Sequence, residues 1–367
     1  MVQNKYNSLF VNGKLVTKEL LSNMEAAEFA CGSTIMADLY NFLLEWHNDK
    51  DYVIVQTSGS TGEPKRMKAH KQQMINSASI TCNYLGLKQG DSALLCMPLK
   101  YIAGKMMVVR AMVAGLDLIA IEPSGHPLKN CNKKIVFAAM TPMQVICSLN
   151  VPQEKRTLAK ISNLIIGGGA IDAELEKDIK QLPGKIYSTY GMTETLSHIA
   201  LRRLNGAGSN EFYTPFPSVA LSLSKEGTLI IDAPLVCNNQ LVTNDIAELL
   251  PNGQFKIVGR KDNTINSGGI KIQTENIEAK LRSRINIPFA ITSIPDKTLG
   301  EAVALVVEQR DKYSFLSLPE IEKICNEVLD RYERPKRIIY VSELPLTETG
   351  KVCRAELKKM LHRLIFY

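Results

Sequence analysis

The sequence predicts an α/β protein in three parts: a large N-terminal α/β domain, a small β subdomain and a small α+β C-terminal domain. Three features predict it. From residue 52 to about residue 190, short β-branched apolar runs alternate with helical apolar stripes, the rhythm of a sheet with crossover helices. Beyond about residue 210, short runs broken by Gly, Pro and Asn turns read as all-β. Past Arg260, roughly one hundred residues carry helices and strands of their own, enough for a compact terminal domain.

Taken in order, residues 17–46 show helical stripes (Leu20, Leu21, Met24, then Met36, Leu39, Tyr40, Phe42, Leu43), so two helices are expected before the first strand. That strand, 52–56, is a continuous apolar run and is expected to be buried on both faces. Helices are expected at 70–85, 102–114, 142–149 and 172–182, alternating with strands at 93–97, 116–121, 135–140, 163–166 and 185–189. Strands at 219–223, 228–231, 247–250 and 254–258 form the β subdomain. The last part reads helix 274–285, strands 288–294 and 302–308, helix 317–331, strand 336–341 and helix 354–365.

Composition sets bounds on function. The 367 residues are 45% hydrophobic, with 44 Lys and Arg against 37 Asp and Glu, and the net charge of +7 is scattered rather than gathered into a tail. Such a surface helps to collect polyanions but gives no nucleic-acid signature. The eight cysteines stand singly, without a Cys-x-x-Cys pair. They read as reduced thiols in a cytoplasmic protein, with no membrane insertion expected. Five histidines, none spaced i, i+4, argue against a protein-held transition metal.

Five groups of residues carry chemistry. Thr57-Ser58-Gly59-Ser60-Thr61-Gly62-Glu63-Pro64-Lys65 directly follows a strand, and its small residues let N–H groups and hydroxyls approach phosphate oxygens. The glycines lie too close together for a Walker A loop, which disfavours a kinase or P-loop ATPase. At the C-terminal end of the strand at 185–189, where open α/β sheets bind ligands, Ser188-Thr189-Tyr190-Gly191-Met192-Thr193-Glu194-Thr195 offers a ring to stack on a base, a hydroxyl for a phosphate and a hard carboxylate suited to a nucleotide-bound Mg2+. Gly167-Gly168-Gly169-Ala170 leaves backbone room nearby. Near the junction lie Asp245 and the run Gly259-Arg260-Lys261-Asp262-Asn263, continuing through Gly268-Gly269-Ile270-Lys271. Lys351 follows a glycine ahead of the last helix.

In order and spacing, residues 52–358 resemble the adenylate-forming superfamily of acyl-CoA synthetases, luciferases and peptide-synthetase adenylation domains. The resemblance implies a ligase that uses ATP, Mg2+ and coenzyme A. It implies that Lys65 and the hydroxyls of Thr57–Thr61 hold the β- and γ-phosphates, and Glu194 the metal. Tyr190 and Gly191, with Gly168, Gly169 and Ala170, would hold adenine; Asp245 and Arg260 would hold the ribose. Thr193 would contact phosphate, and Lys351 would be the catalytic lysine of a mobile C-terminal domain. Asp262 would be the hinge, between an AMP-binding domain at 1–260 and a mobile domain at 264–367, with 261–263 as the turning point. Gly268 and Gly269 would line the coenzyme A channel.

Pro98-Leu99-Lys100-Tyr101-Ile102-Ala103-Gly104-Lys105 occupies the position of the superfamily's aromatic gate, and the whole looks most like the o-succinylbenzoate:CoA ligases of menaquinone synthesis. That acid's second carboxylate needs a buried partner, for which Tyr101, Lys105 and His198, with Arg110 and Arg202, are the candidates. Relatives have well over a hundred residues ahead of the phosphate loop, which here starts at Thr57; the shortened flank implies a homodimer. Two other readings are a module that loads a carrier protein and a non-catalytic nucleotide binder.

Overall fold

The computed structural model describes residues 6–56, 66–309, 316–347 and 351–366. The chain is a mixed α/β structure built on a large, parallel-rich sheet, with a smaller β sheet and a C-terminal α+β part. Edge to edge, the large sheet runs Thr214–Pro215, His198–Arg203, Lys185–Gly191, Asn163–Ile166, Phe137–Met140, Ser92–Leu95, Asp117–Ala120, Ser8–Val11 and Lys14–Thr17. Its central strands are parallel, and each end is closed by antiparallel pairing. Helices Lys71–Leu85 and Ile102–Ala114 cover one apolar layer, while Pro142–Leu149 and Ala173–Ile179 lie over the other.

Local chemistry explains the boundaries. Helix Pro142–Leu149 starts on a reciprocal Thr141–Gln144 capping box with Pro at its first position. Helices Lys71–Leu85 and Ile102–Ala114 end on Gly86 and Gly115 in the left-handed conformation that glycine adopts without strain.

The start of the chain differs from expectation. The first strand is Ser8–Val11, not 52–56, and it turns through Asn12 and Gly13, both at positive φ, into Lys14–Thr17. Asn-Gly is the residue pair that such a hairpin turn requires. Three helices follow: Lys18–Ser22, Ala26–Ala30 and Thr34–His47. The strand Tyr52–Gln56 is not buried on both faces. It lies outside the large sheet, paired antiparallel with Arg66–His70. Val53 and Val55 are fully buried whereas Ile54 is exposed, the period-two pattern of a one-sided strand.

The small sheet is an antiparallel meander of Ala220–Leu223, Thr228–Asp232, Leu241–Leu249 and Phe255–Arg260. One 3-10 turn, Lys261–Asn263, separates it from the C-terminal part. There the hairpin Thr264–Ser267/Ile270–Gln273, the pair Phe289–Asp296/Gly300–Glu308 and the parallel strand Arg337–Val341 form a sheet. Helices Thr274–Arg282 and Leu318–Val328 pack on one face, and Arg354–Phe366 on the other. No helix among the described residues is long and apolar enough to cross a membrane.

Candidate active site

The strands' register assembles the junction residues. Pairing of Leu241–Leu249 with Phe255–Arg260 sets Asp245 directly opposite Arg260, whose Nη1 donates to Asp245 Oδ1 at 3.1 Å. Nη2 of the same arginine donates to Asp262 Oδ2 at 3.0 Å, and Asn244 Nδ2 donates to that oxygen at 3.1 Å. Tyr190, at the C-terminal end of a central strand, donates its hydroxyl to Asp245 Oδ2 at 2.7 Å, and its ring packs edge-on against Phe255. Burial, then the Asp245 carboxylate, raises the Tyr190 phenol above its ordinary value.

The C-terminal part reaches this cluster. Lys351 is exposed as a residue; partial desolvation, then repulsion from Arg260 and against attraction to Asp245, lowers its pKa from the ordinary lysine value. Sequence positions 190, 245, 260 and 351 thus converge in space.

Thr193 and Glu194 lie on a 3-10 turn just after the strand, with Glu194 exposed. Thr195 Oγ1 braces this turn through Met192 and Ser197. Leu196 closes it at φ 63° and ψ −31°, with Ser197 N bonded to Thr195 O at 2.7 Å, a tight γ-like turn that a leucine adopts only under strain. Gly168, Gly169 and Ala170 are exposed after the strand Asn163–Ile166. Gly168 has φ +81°, and a Cβ at Gly169 would press on Pro142. Among the described residues no group of three His, Cys, Asp or Glu could hold a metal. A lone exposed carboxylate fits magnesium that arrives with phosphates, since that ion keeps most of its oxygen ligands from substrate and water. Thr57–Gly62 and Lys65 lie outside the described residues. Gly268 and Gly269 form the turn of the C-terminal hairpin, at φ +58° and +84°, against Leu299.

The acid-pocket candidates separate. Lys105 is buried and bonded to Glu45 Oε2 at 2.9 Å, over the Phe42 ring; Glu45 Oε1 takes Ile54 N at 2.7 Å. The charge of Lys105 is thus spent on a pair that braces the strand leading into residue 57. Arg202 is likewise paired, with Glu176 at 2.9 Å. Tyr101 is partly buried as the residue before helix Ile102–Ala114, and it bridges Gln56.

Arg110 has no carboxylate partner among the described residues. It is 2% exposed, its Nη2 donates to Ser197 Oγ at 2.6 Å, and its Nε has no partner. Burial lowers its pKa to about 10, which leaves it cationic at neutral pH. His198, opposite Gly191 in register, contacts Thr81 Oγ1 at 3.1 Å and Ser197 Oγ at 3.2 Å. Burial, then Arg110, lowers it well below the ordinary histidine value, so it is a neutral hydrogen-bonding group beside a narrow hollow walled by Ile80, Phe216 and Val219. Ser197 and Thr81 escaped the sequence reading; the only signal was that Ser197 stands three residues past Glu194.

The profile of the AMP-binding enzyme family matches residues 14–234, and that of the AMP-binding enzyme C-terminal domain matches 289–351. The 2-succinylbenzoate–CoA ligase of Geobacillus sp. (strain WCH70) is 27% identical over 366 residues, spanning 90% of this chain and 73% of the relative. The enzyme of the same name from Bacillus mycoides (strain KBAB4) is 24% identical, over 97% and 84%. An acyl-CoA synthetase (AMP-forming)/AMP-acid ligase II-like protein from Dyadobacter fermentans is 30% identical, with a TM-score of 0.62 over 94% of this chain and 99% of that one. The o-succinylbenzoate coenzyme A synthetase of Bacillus subtilis, solved with ATP and magnesium ion, shares the fold at 21% identity and a TM-score of 0.71, over 83% and 69%. With most of its length covered by the two profiles, the chain belongs to the AMP-binding enzyme family.

Proposed function

We propose that this chain is an AMP-forming acid:CoA ligase whose acid is o-succinylbenzoate, acting in menaquinone synthesis. In the first half-reaction a carboxylate oxygen attacks the α-phosphorus of ATP; the bond from that phosphorus to the bridging oxygen breaks and pyrophosphate leaves. In the second, the coenzyme A sulfur attacks the acyl carbon, the carbon–oxygen bond to phosphate breaks and AMP leaves. The observation that carries this reading is Lys351, brought from the C-terminal part into the field of Asp245 and Arg260. Two anions meet in the first step, and an ammonium aimed at the developing charge is what that step needs.

The same placement supports the remaining roles. Asp245 and Arg260 would take the ribose, and Tyr190, Gly191, Gly168, Gly169 and Ala170 the base. Thr193 would take a phosphate and Glu194 the magnesium; Lys65 and the 57–62 loop would hold the outer phosphates. Residues 1–260 and 264–367 would be the two bodies and 261–263 the hinge, with Asp262 tied to Arg260 in the orientation seen here. Rotation of the C-terminal body would then withdraw Lys351 and bring Gly268 and Gly269 to a thiol channel. Arg110, buried without an acid partner, supports a substrate with a second carboxylate. The exposed Phe10 and Leu15, opposite each other on an edge hairpin, support a homodimer, and eight free thiols support a cytoplasmic setting.

The test is pyrophosphate release across a panel of aryl and aliphatic acids, with free coenzyme A as acceptor. o-Succinylbenzoate should give the highest kcat/KM and a CoA thioester. A thioester found only on a carrier protein would overturn the reading.

A further inference from the structure

Lys351 is gripped on both sides by its own domain. Ahead of it, Thr347 N donates to Lys351 O at 2.7 Å, and Lys351 N donates to Thr347 Oγ1 at 3.1 Å. A bridge between Leu346 and Val352 adds a further tie. Behind it, Arg354 opens the last helix with a two-pronged pair: Nη2 lies 2.9 Å from both Glu278 oxygens, and Nη1 donates to Ile291 O at 2.6 Å. Glu278 is buried and also accepts from Ile291 N at 2.8 Å. One guanidinium thus nails the start of helix Arg354–Phe366 to helix Thr274–Arg282 and strand Phe289–Asp296.

A lysine side chain has four flexible methylenes and little orientation of its own, and a displacement of about 1 Å at a reacting centre can cost on the order of 100-fold in rate. We infer that Thr347 and the Arg354–Glu278 pair are positioning residues that fix the Lys351 backbone to the C-terminal sheet. The ammonium then moves only when that whole body moves. The inference rests on the reading of Lys351 as the residue of the first half-reaction. It implies that loosening either grip impairs adenylate formation and spares thioester formation, in which Lys351 takes no part.

The experiment measures the two half-reactions separately, as pyrophosphate release in a single turnover and as thioester formation from supplied acyl-adenylate and coenzyme A. It compares Lys351→Ala, Thr347→Val, Arg354→Met and each of the latter two combined with Lys351→Ala. Thr347→Val and Arg354→Met should slow adenylate formation roughly 10- to 100-fold, leave thioester formation within about three-fold, and add nothing to Lys351→Ala. Because Arg354→Met leaves Glu278 buried and unpaired, Arg354→Met/Glu278→Met supplies a charge-balanced variant with the same expectation. Equal loss in both half-reactions, or losses that add to that of Lys351→Ala, would make these residues structural only and overturn the inference. So would normal adenylate formation in the grip variants alongside a crippled Lys351→Ala. If Lys351→Ala itself forms adenylate at full speed, the lysine's role falls first, and the inference with it.

Discussion

Arg110 and Ser197 meet in the interior of the large domain, with Nη2 2.6 Å from Oγ, although 87 residues separate them in sequence. The guanidinium has no carboxylate to balance it among the described residues, and its Nε is unbonded. Burying a cation this way is costly, and under the proposed function the second carboxylate of the acid would offset that cost. Replacing Arg110 with Met should therefore leave the thermal midpoint unchanged or raise it. For a keto-diacid, kcat/KM should fall on the order of 100-fold, about 2–3 kcal/mol, the worth of a hydrogen bond between charged groups. The KM for ATP and the turnover of aryl monocarboxylates should hold. Equal losses for diacid and monoacid would remove Arg110 from acid selection.

Lys105 leads to the opposite division. From the sequence it is a candidate for the second carboxylate, so its loss would raise the KM for the acid alone. In the structure it neutralises Glu45, which holds the backbone of Ile54 at the entrance to residues 57–65. Lys105→Met should lower stability by about 1–3 kcal/mol, because Glu45 loses its partner in a half-buried site. It should also raise the KM for ATP several-fold with little change for the acid. Urea midpoints together with the two KM values check this; a change confined to the acid would restore the pocket assignment.

These two residues mark where the sequence was readable. Helices Ile102–Ala114 and Pro142–Leu149 and strand Asn163–Ile166 were legible because local signals marked them: Gly115 after one, Thr141-Pro142 before the next, the apolar Leu-Ile-Ile run ahead of three glycines in the third. The Asn12-Gly13 hairpin carried its signal too, but only two short runs flank it. Strand Tyr52–Gln56 was misplaced because an apolar run does not tell which sheet it joins, and the exposure of Ile54 is set by its partner Arg66–His70. Asp245 and Arg260 were nameable from motif order, whereas their direct opposition follows from strand register. That Lys105 is spent and Arg110 is not depends on neighbours 60 and 87 residues away, which no local pattern reports.

One buried and one half-buried histidine give the protein an acid sensitivity that its carboxylates do not share. His198 is held well below its ordinary value by burial and then by Arg110; His47 is lowered to about 4 by burial, then by Lys18 and Lys71. Both are neutral in the folded chain at a pH where the unfolded imidazole, with a pKa of about 6.5, binds a proton. The unfolded state then holds more protons, so stability is full above pH ~6.5 and falls as pH drops below it. For His47 the fall continues until about pH 4. Carboxylates held low by their partners, such as Glu122 through Thr34, Ser33 and Ile35, lose stability only as pH approaches their unfolded value near 4.3. Between pH ~6.5 and ~4.5 the histidines therefore dominate. His198 should contribute a slope of up to about 1.4 kcal/mol per pH unit, with a smaller share from the partly solvated His47. Urea midpoints across this window should shift toward lower urea as pH falls, and His198→Gln, which keeps a partner for Thr81 and Ser197, should flatten the curve. An unchanged slope in that variant would mean that His198 is already charged in the folded protein, and would overturn this account.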